Sequence, residues 1–197
     1  GASKESRLLN YANHRSRFMF NFGDGAAAAL LRRGHPANQV LGFTALTDGT
    51  FHHCVMVPAG GTVYPPSRET VERGMHFIDV TDPKDMKARL DPVSLPNFVR
   101  VVRGALERSG RRVEDLDFLA PLHTKRSMFE ALLAALGLRE DQSFYLDQYG
   151  HMSAIDPLVA LYEGRRHGLL RDGDLAVAVS VGTGYTWSAI ALQWGQG

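Results

Sequence analysis

The chain has 197 residues, 44% hydrophobic and 22% charged, with 22 Lys and Arg against 21 Asp and Glu for a net charge of +1. That length supports one substantial core, and scattered, balanced charge gives no basic stripe for nucleic acid or an anionic membrane. The single cysteine, Cys54, leaves no internal disulfide framework, and no apolar run reaches the roughly 20 residues that span a bilayer, so a soluble protein of the reducing cytoplasm is expected.

Taken in chain order, residues 17–22 and 26–32 read as two strands joined by Phe22-Gly23-Asp24-Gly25-Ala26, a glycine turn that predicts a hairpin. Residues 39–47 and 51–57 read as a second pair around Asp48-Gly49, a strong hairpin signal. Residues 58–91 are rich in Gly, Pro and charge with weak periodicity, so a boundary is placed near Asp91, dividing the chain into 1–91 and 92–197. Leu95, Phe98, Val99, Val102 and Leu106 then fall on one helical face, with Gly110 as a stop. The remainder alternates strand 117–122, helix 127–136, strand 143–147, helix 153–167 and a closing pair 175–181 and 187–194, the pattern of an α/β sheet with parallel strands. Ser153 and Asp156 fit a helix-capping pattern, with Pro157 in the first turn.

Three loops then lie at comparable ends of successive strands, where an open α/β sheet builds its site. Two carry histidines, His123 and His151, each just before a helix whose dipole disfavours the imidazolium. A neutral imidazole with its N–H aimed at a carbonyl stabilises an enolate or oxyanion, chemistry suited to a thioester or ketone; the plainer alternative is a loop histidine bonding local backbone. The third loop, Gly182-Thr183-Gly184, either presents a backbone N–H to developing negative charge or is simply a tight hairpin. Trp187 stands where a dinucleotide fingerprint needs its third glycine, and no Gly-x-Ser-x-Gly elbow occurs. His52-His53-Cys54 read as a strand would leave only His52 and Cys54 on one face, too few ligands for structural zinc. Nothing near Cys54 activates it as a nucleophile, so it is expected to be inert.

These motifs, in this order, resemble the C-terminal half of β-ketoacyl-acyl-carrier-protein synthase III and its thiolase-superfamily relatives. Phe22-Gly23-Asp24-Gly25-Ala26 looks like the family's Phe-Gly-Asp-Gly-Ala turn, and residues 121–126 sit where it has a Pro-His-Gln-Ala-Asn loop. Tyr149-Gly150-His151-Met152-Ser153-Ala154 is similar to its Gly-Asn-Thr-Ser-Ala segment, and Gly182-Thr183-Gly184-Tyr185-Thr186-Trp187 to its closing Gly-Gly-Gly-Phe-Thr-Trp. The resemblance implies a thiolase-like α/β fold, with a C-terminal βαβαββ half and the last strands of the N-terminal half. It puts His123 in the family's histidine role, one residue from Leu122 in the alignment, and His151 in the asparagine position. The backbone N–H of Thr183 would join an oxyanion hole flanked by Gly182 and Gly184, while Lys125 and Arg126 would meet a phosphopantetheine phosphate or an acidic carrier protein if they are not merely solvated.

The implied activity is decarboxylative Claisen condensation of an acyl thioester with a malonyl-type thioester, on coenzyme A or acyl carrier protein, in fatty-acid or polyketide biosynthesis, with no metal or redox cofactor. The same fold also implies two alternatives: acyl transfer to an alcohol or amine with histidine as general base, or a non-catalytic partner subunit. No residue here aligns with the family's nucleophilic cysteine. The expectation is therefore a companion polypeptide bearing that cysteine and the rest of the N-terminal half, arising by processing, separate encoding or proteolysis, and a homodimer of the complete unit.

Overall fold

The computed structural model describes residues 1–196. Its main sheet has four strands, β3 (Ala37–Thr47), β6 (Phe118–Pro121), β7 (Leu175–Gly182) and β8 (Thr186–Gln196), in the order β3-β8-β7-β6. β6 runs parallel to β7, while β8 is antiparallel to both of its neighbours. Alternation along each strand sends side chains to two helical layers. Leu119, Val177, Val179 and Trp187 join the cluster formed with helices α2 (Pro83–Arg108) and α3 (Arg126–Leu136), and Phe118, Ala120 and Ala176 join that of α4 (Asp156–Arg166). Burial of both faces accounts for the near-continuous apolar run of β7. The fold is α/β with helices on either side of a mixed sheet, as the sequence implies.

Helix α2 begins at Asp82, whose carboxylate accepts from the N–H groups of Lys84 and Asp85, with Pro83 supplying a preset φ in the first turn. It continues through Pro92 and Pro96, so the boundary expected near Asp91 falls inside a helix of 26 residues. β3, from the first of the two expected segments, also completes the sheet of the second. The proline pair and the charged flank hide this helix from a periodicity reading that begins only at Leu95. Its inner face buries Phe98, Val101, Val102, Ala105 and Leu106, each of the larger side chains contributing roughly 1.5–3 kcal/mol. Gly104 lets the helix lie close on β3, since a Cβ there would sit 2.9 Å from Thr44 Oγ1.

The two N-terminal hairpins are not formed. β2 (Asp24–Ala26) pairs with β1 (Ala2–Lys4), residues 27–32 carry no regular structure, and His14–Met19 is a 3-10 turn capped by the Asn13 side chain. Likewise β3 takes β8 as its partner in place of residues 51–57. The Asp48 carboxylate instead accepts from the Thr50 N–H at 2.9 Å and starts a 3-10 turn, Gly49–Phe51. The chain then enters β4 (Val55–Met56), which pairs with β5 (Asp79–Val80) beyond a short helix, α1 (Arg68–Glu72). Because residues 52–54 turn instead of extending, His52 and His53 touch, Nε2 to Nδ1 at 2.8 Å, and do not face opposite ways. The strand expected at 143–147 reduces to one parallel bridge between Ser143 and Leu119. No helix among the described residues is long and apolar enough to cross a membrane.

Gly164 of α4 packs directly on the Phe118 ring, and a Cβ at that position would collide with it. Gly164→Ala is expected to destabilise the chain by about 1–3 kcal/mol through overpacking, despite alanine's better helix propensity. Urea unfolding of the two proteins checks this, and an unchanged or raised midpoint would show that the ring gives way freely.

Candidate active site

The site grows from the common end of β6 and β7. Leu122 extends the parallel ladder, its N–H donating to the Val179 carbonyl at 2.9 Å, and its side chain is buried among the residues under α2 and α3. The next residue, His123, leaves the ladder. Its ring packs on Tyr145 with centroids 5.0 Å apart, and its backbone N–H donates to Asp156 Oδ2 at 2.8 Å. The Tyr145 hydroxyl donates to the Thr124 carbonyl, which ties the ring under His123 to the same loop.

The His151 loop is held from the opposite side of the sequence. The N–H of His151 donates to the Asn21 carbonyl at 3.0 Å, and the Gly23 N–H returns a bond to the His151 carbonyl at 2.9 Å. A Cβ on Gly23 would strike the Tyr149 carbonyl, and one on Gly150, where φ is +71°, would strike that of Asn21. The glycines of these two motifs are thus required by the close approach of two backbones. Phe22 then lies edge-on to the His151 ring at 4.7 Å.

Both loops meet at Asp156, which is fully buried. Its Oδ1 accepts from the Met152 N–H at 2.7 Å, and its Oδ2 accepts from the His123 N–H and from the Nδ1–H of His151, the latter at 2.6 Å. Three N–H donors, together with the N-terminus of α4, compensate the carboxylate. The expected cap between Ser153 and Asp156 is absent: Ser153 adopts φ +63° and Asp156 turns inward. The capping pattern did place an acid at the start of this helix, but nothing in the sequence told that it would serve two histidines.

The hydrogen bonds distinguish the two rings. Because Asp156 accepts from Nδ1 of His151, Nε2 is the nitrogen left for a ligand. His123 Nδ1 is buried without a partner, and a bare acceptor there is tolerated better than an orphaned N–H, which puts the proton of the neutral ring on Nε2. Burial holds the His123 pKa below its ordinary value, and nearby His151 acts in the same direction, against the pull of Asp156 and Asp147. His123 is therefore a neutral donor near pH 7.

Gly182 and Thr183 are exposed at the β7–β8 turn, at the same end of the sheet as His123, and Gly184 has φ +136°. The turn is fixed from β3's end, where Tyr185 and Asp48 exchange two backbone hydrogen bonds of 2.8 Å. Burial pushes the Tyr185 phenol up to about 12. Lys125 is exposed just before α3. Arg126 pairs with Glu130 and Glu140 and lies over the Tyr145 ring at 5.0 Å, so it braces the aromatic layer beneath His123. Cys54 is buried in the main core. Among the described residues no group of three His, Cys, Asp or Glu side chains is placed to hold a metal ion.

Residues 106–194 match the family 3-oxoacyl-[acyl-carrier-protein] synthase III C terminal, and residues 1–49 match 3-oxoacyl-[acyl-carrier-protein] synthase III. The chain is similar to β-ketoacyl-[acyl-carrier-protein] synthase III of Symbiobacterium thermophilum, 33% identical over 197 residues that make up all of this chain and 58% of that protein. It is equally similar to that of Caldanaerobacter subterraneus, 33% identical over 98% of this chain and 57% of the other. The solved 3-oxoacyl-(acyl carrier protein) synthase III of Pseudomonas aeruginosa superposes with a TM-score of 0.76 at 26% identity, covering 98% of this chain and 57% of that one. OleA of Xanthomonas campestris, at 16% identity and a TM-score of 0.59 over 80% of this chain and 41% of that one, shares the fold. The architecture is thus thiolase-like, and the chain spans 57–58% of the length of the two curated relatives named here.

The depressed His123 pKa carries a stability signature. Below the ordinary histidine value of 6.5 the unfolded chain takes up a proton that the folded site refuses, so this group's contribution, full above that pH, is lost as pH falls toward the folded value. His123→Gln is expected to lose less stability than the parent between neutral and mildly acidic pH, measured as urea midpoints across that range. Parallel pH profiles would show that the buried ring is not protected from protons.

Proposed function

The chain belongs to the 3-oxoacyl-[acyl-carrier-protein] synthase III family of thiolase-like condensing enzymes, and from that premise we propose that it supplies the thioester-binding part of a decarboxylative Claisen condensation. The observation that carries the reading is the gathering of His123 and His151 over one buried carboxylate, at the sheet end that also bears the Gly182–Gly184 turn. An acyl group rides on a cysteine from outside these 197 residues, since Cys54 is buried in the core. The malonyl-type thioester, on acyl carrier protein or coenzyme A, loses carbon dioxide by cleavage of its carboxylate C–C bond. The electron pair becomes an enolate whose oxygen is held by His123 Nε2–H and by His151. The enolate carbon attacks the acyl thioester, whose carbonyl oxygen is stabilised by the Thr183 N–H, and the cysteine thiolate leaves. Lys125 and Arg126, at the start of α3, would meet a pantetheine phosphate or an acidic carrier. The product serves fatty-acid or polyketide synthesis.

A second reading, acyl transfer to an alcohol or amine, is favoured by one contact, the hydrogen bond from His151 Nδ1–H to Asp156. A neutral His151 so oriented presents a bare Nε2, which is a general base. The two chemistries need opposite protonation of this ring. With Nδ1–H committed to Asp156, donation from Nε2 to an enolate requires the imidazolium, whereas transfer requires the neutral ring.

In the complete enzyme, His123→Ala is expected to reduce carbon dioxide release from a malonyl thioester by roughly a hundred- to a thousandfold, the usual loss on removing one preorganised donor. His151→Asn keeps an amide donor and should retain condensation while abolishing transfer to oxygen or nitrogen. Radiolabelled carbon dioxide and acyl-product assays check both. If neither product forms from any acyl thioester, the partner-subunit reading replaces catalysis.

A further inference from the structure

We propose that Asp156 is the positioning residue of this site, giving the two histidines unlike roles: His123 a ring with a fixed Nε2–H, and His151 a ring whose Nδ1–H is held by the carboxylate so that Nε2 is the nitrogen left for substrate. Its place in catalysis rests on the reading that thioester chemistry occurs here; its effect on the rings does not.

A carboxylate with no exposed surface must be matched by donors, and Asp156 has three N–H partners within 2.6–2.8 Å and no Lys or Arg bonded to it. Two are backbone groups that cannot move without moving their loops, so the carboxylate also sets the spacing between those loops. The third is His151 Nδ1–H, and exchanging the tautomer would point a lone pair at the carboxylate. His123 offers the carboxylate only its main chain, and its ring Nδ1 has no partner. One residue therefore receives the backbone of one histidine and the side chain of the other.

The charged and titratable neighbours agree with that division. Asp156 on α4 touches His151 directly, Phe22 packs edge-on against that ring, and Asp147, from the segment before the His151 loop, acts on His123 together with Asp156 and His151. Tyr145 packs against His123 and stays neutral near pH 7, because burial raises its pKa. A proton entering the pair is thus opposed on His123, while the Nδ1–H of His151 stays bonded to the carboxylate. Substituting Asp156 by Asn makes the three contacts incompatible. An amide can accept at one position only, so it either turns an N–H toward a backbone N–H or donates to His151 Nδ1 and forces the proton onto Nε2.

The test is nitrogen-15 NMR of the full chain with labelled histidine, as a function of pH. His151 is expected to keep Nδ1 protonated throughout, with the neutral His123 ring held as the Nε2–H tautomer over the same range. In Asp156→Asn the His151 signature should change or the two tautomers should mix. In the complete enzyme kcat should fall by about a hundredfold or more with KM little changed, and the shape of its pH profile should change. Asp156→Gly, which leaves a carboxylate-sized gap, should regain part of that loss with added formate. A wild-type His151 carrying its lone pair on Nδ1 overturns the proposal without any variant, as does an Asp156→Asn enzyme that is folded by circular dichroism and has an unchanged pH profile. Correct tautomers with no thioester turnover would instead defeat only the proposed function.

Discussion

A buried carboxylate holds this site together. Asp156 stands at the first turn of α4, where the helix terminus favours negative charge, and draws three N–H groups from two loops into its two oxygens. Without it the loop after β6 and the His151 loop would each have a free buried donor, at about 1–3 kcal/mol apiece. The position of both rings, the protonation pattern of His151 and the register of the two loops all descend from that one contact set. A charge buried this deeply contributes little net stability once its desolvation is counted, so its value lies in specifying a single arrangement.

The second half of the chain was largely legible. The alternation of strand and helix from residue 117 onward, the long apolar run of β7 and the glycine break before β8 are local signals, and they match the observed elements to within a residue or two apart from 143–147 and the start of α4, where residues 153–155 form a 3-10 turn. The first half is less legible for a physical reason. Its glycine pairs and Asp48-Gly49 are local turn signals, but the strands beside them are paired by tertiary contacts from far away: β2 to β1, β3 to β8, β4 to β5. Gly23 looked like turn chemistry and proved to be a seat for the Tyr149 carbonyl.

The site was legible as a pair of histidines, and illegible as a network. His123 and His151 announced themselves by their position before helices. Asp156 carried the same kind of signal as any N-terminal helix acid, and only the fold reveals that it points inward. Arg126 is the converse case: its charge alone is legible in the sequence, while its ion pairs to Glu130 and Glu140 and its place over the Tyr145 ring are set by the fold.

The pairing of β3 with β8 has a kinetic consequence. Thr47 and Thr186 face one another across 139 residues of sequence, whereas β7 and β8 are joined by a three-residue turn and need almost no chain to close. Loop-closure entropy and high contact order then set a sequence of events in which the C-terminal layers assemble first and β3 arrives last. Until it does, the outer edge of β8 offers a row of unpaired backbone groups to any passing strand, its own or another molecule's.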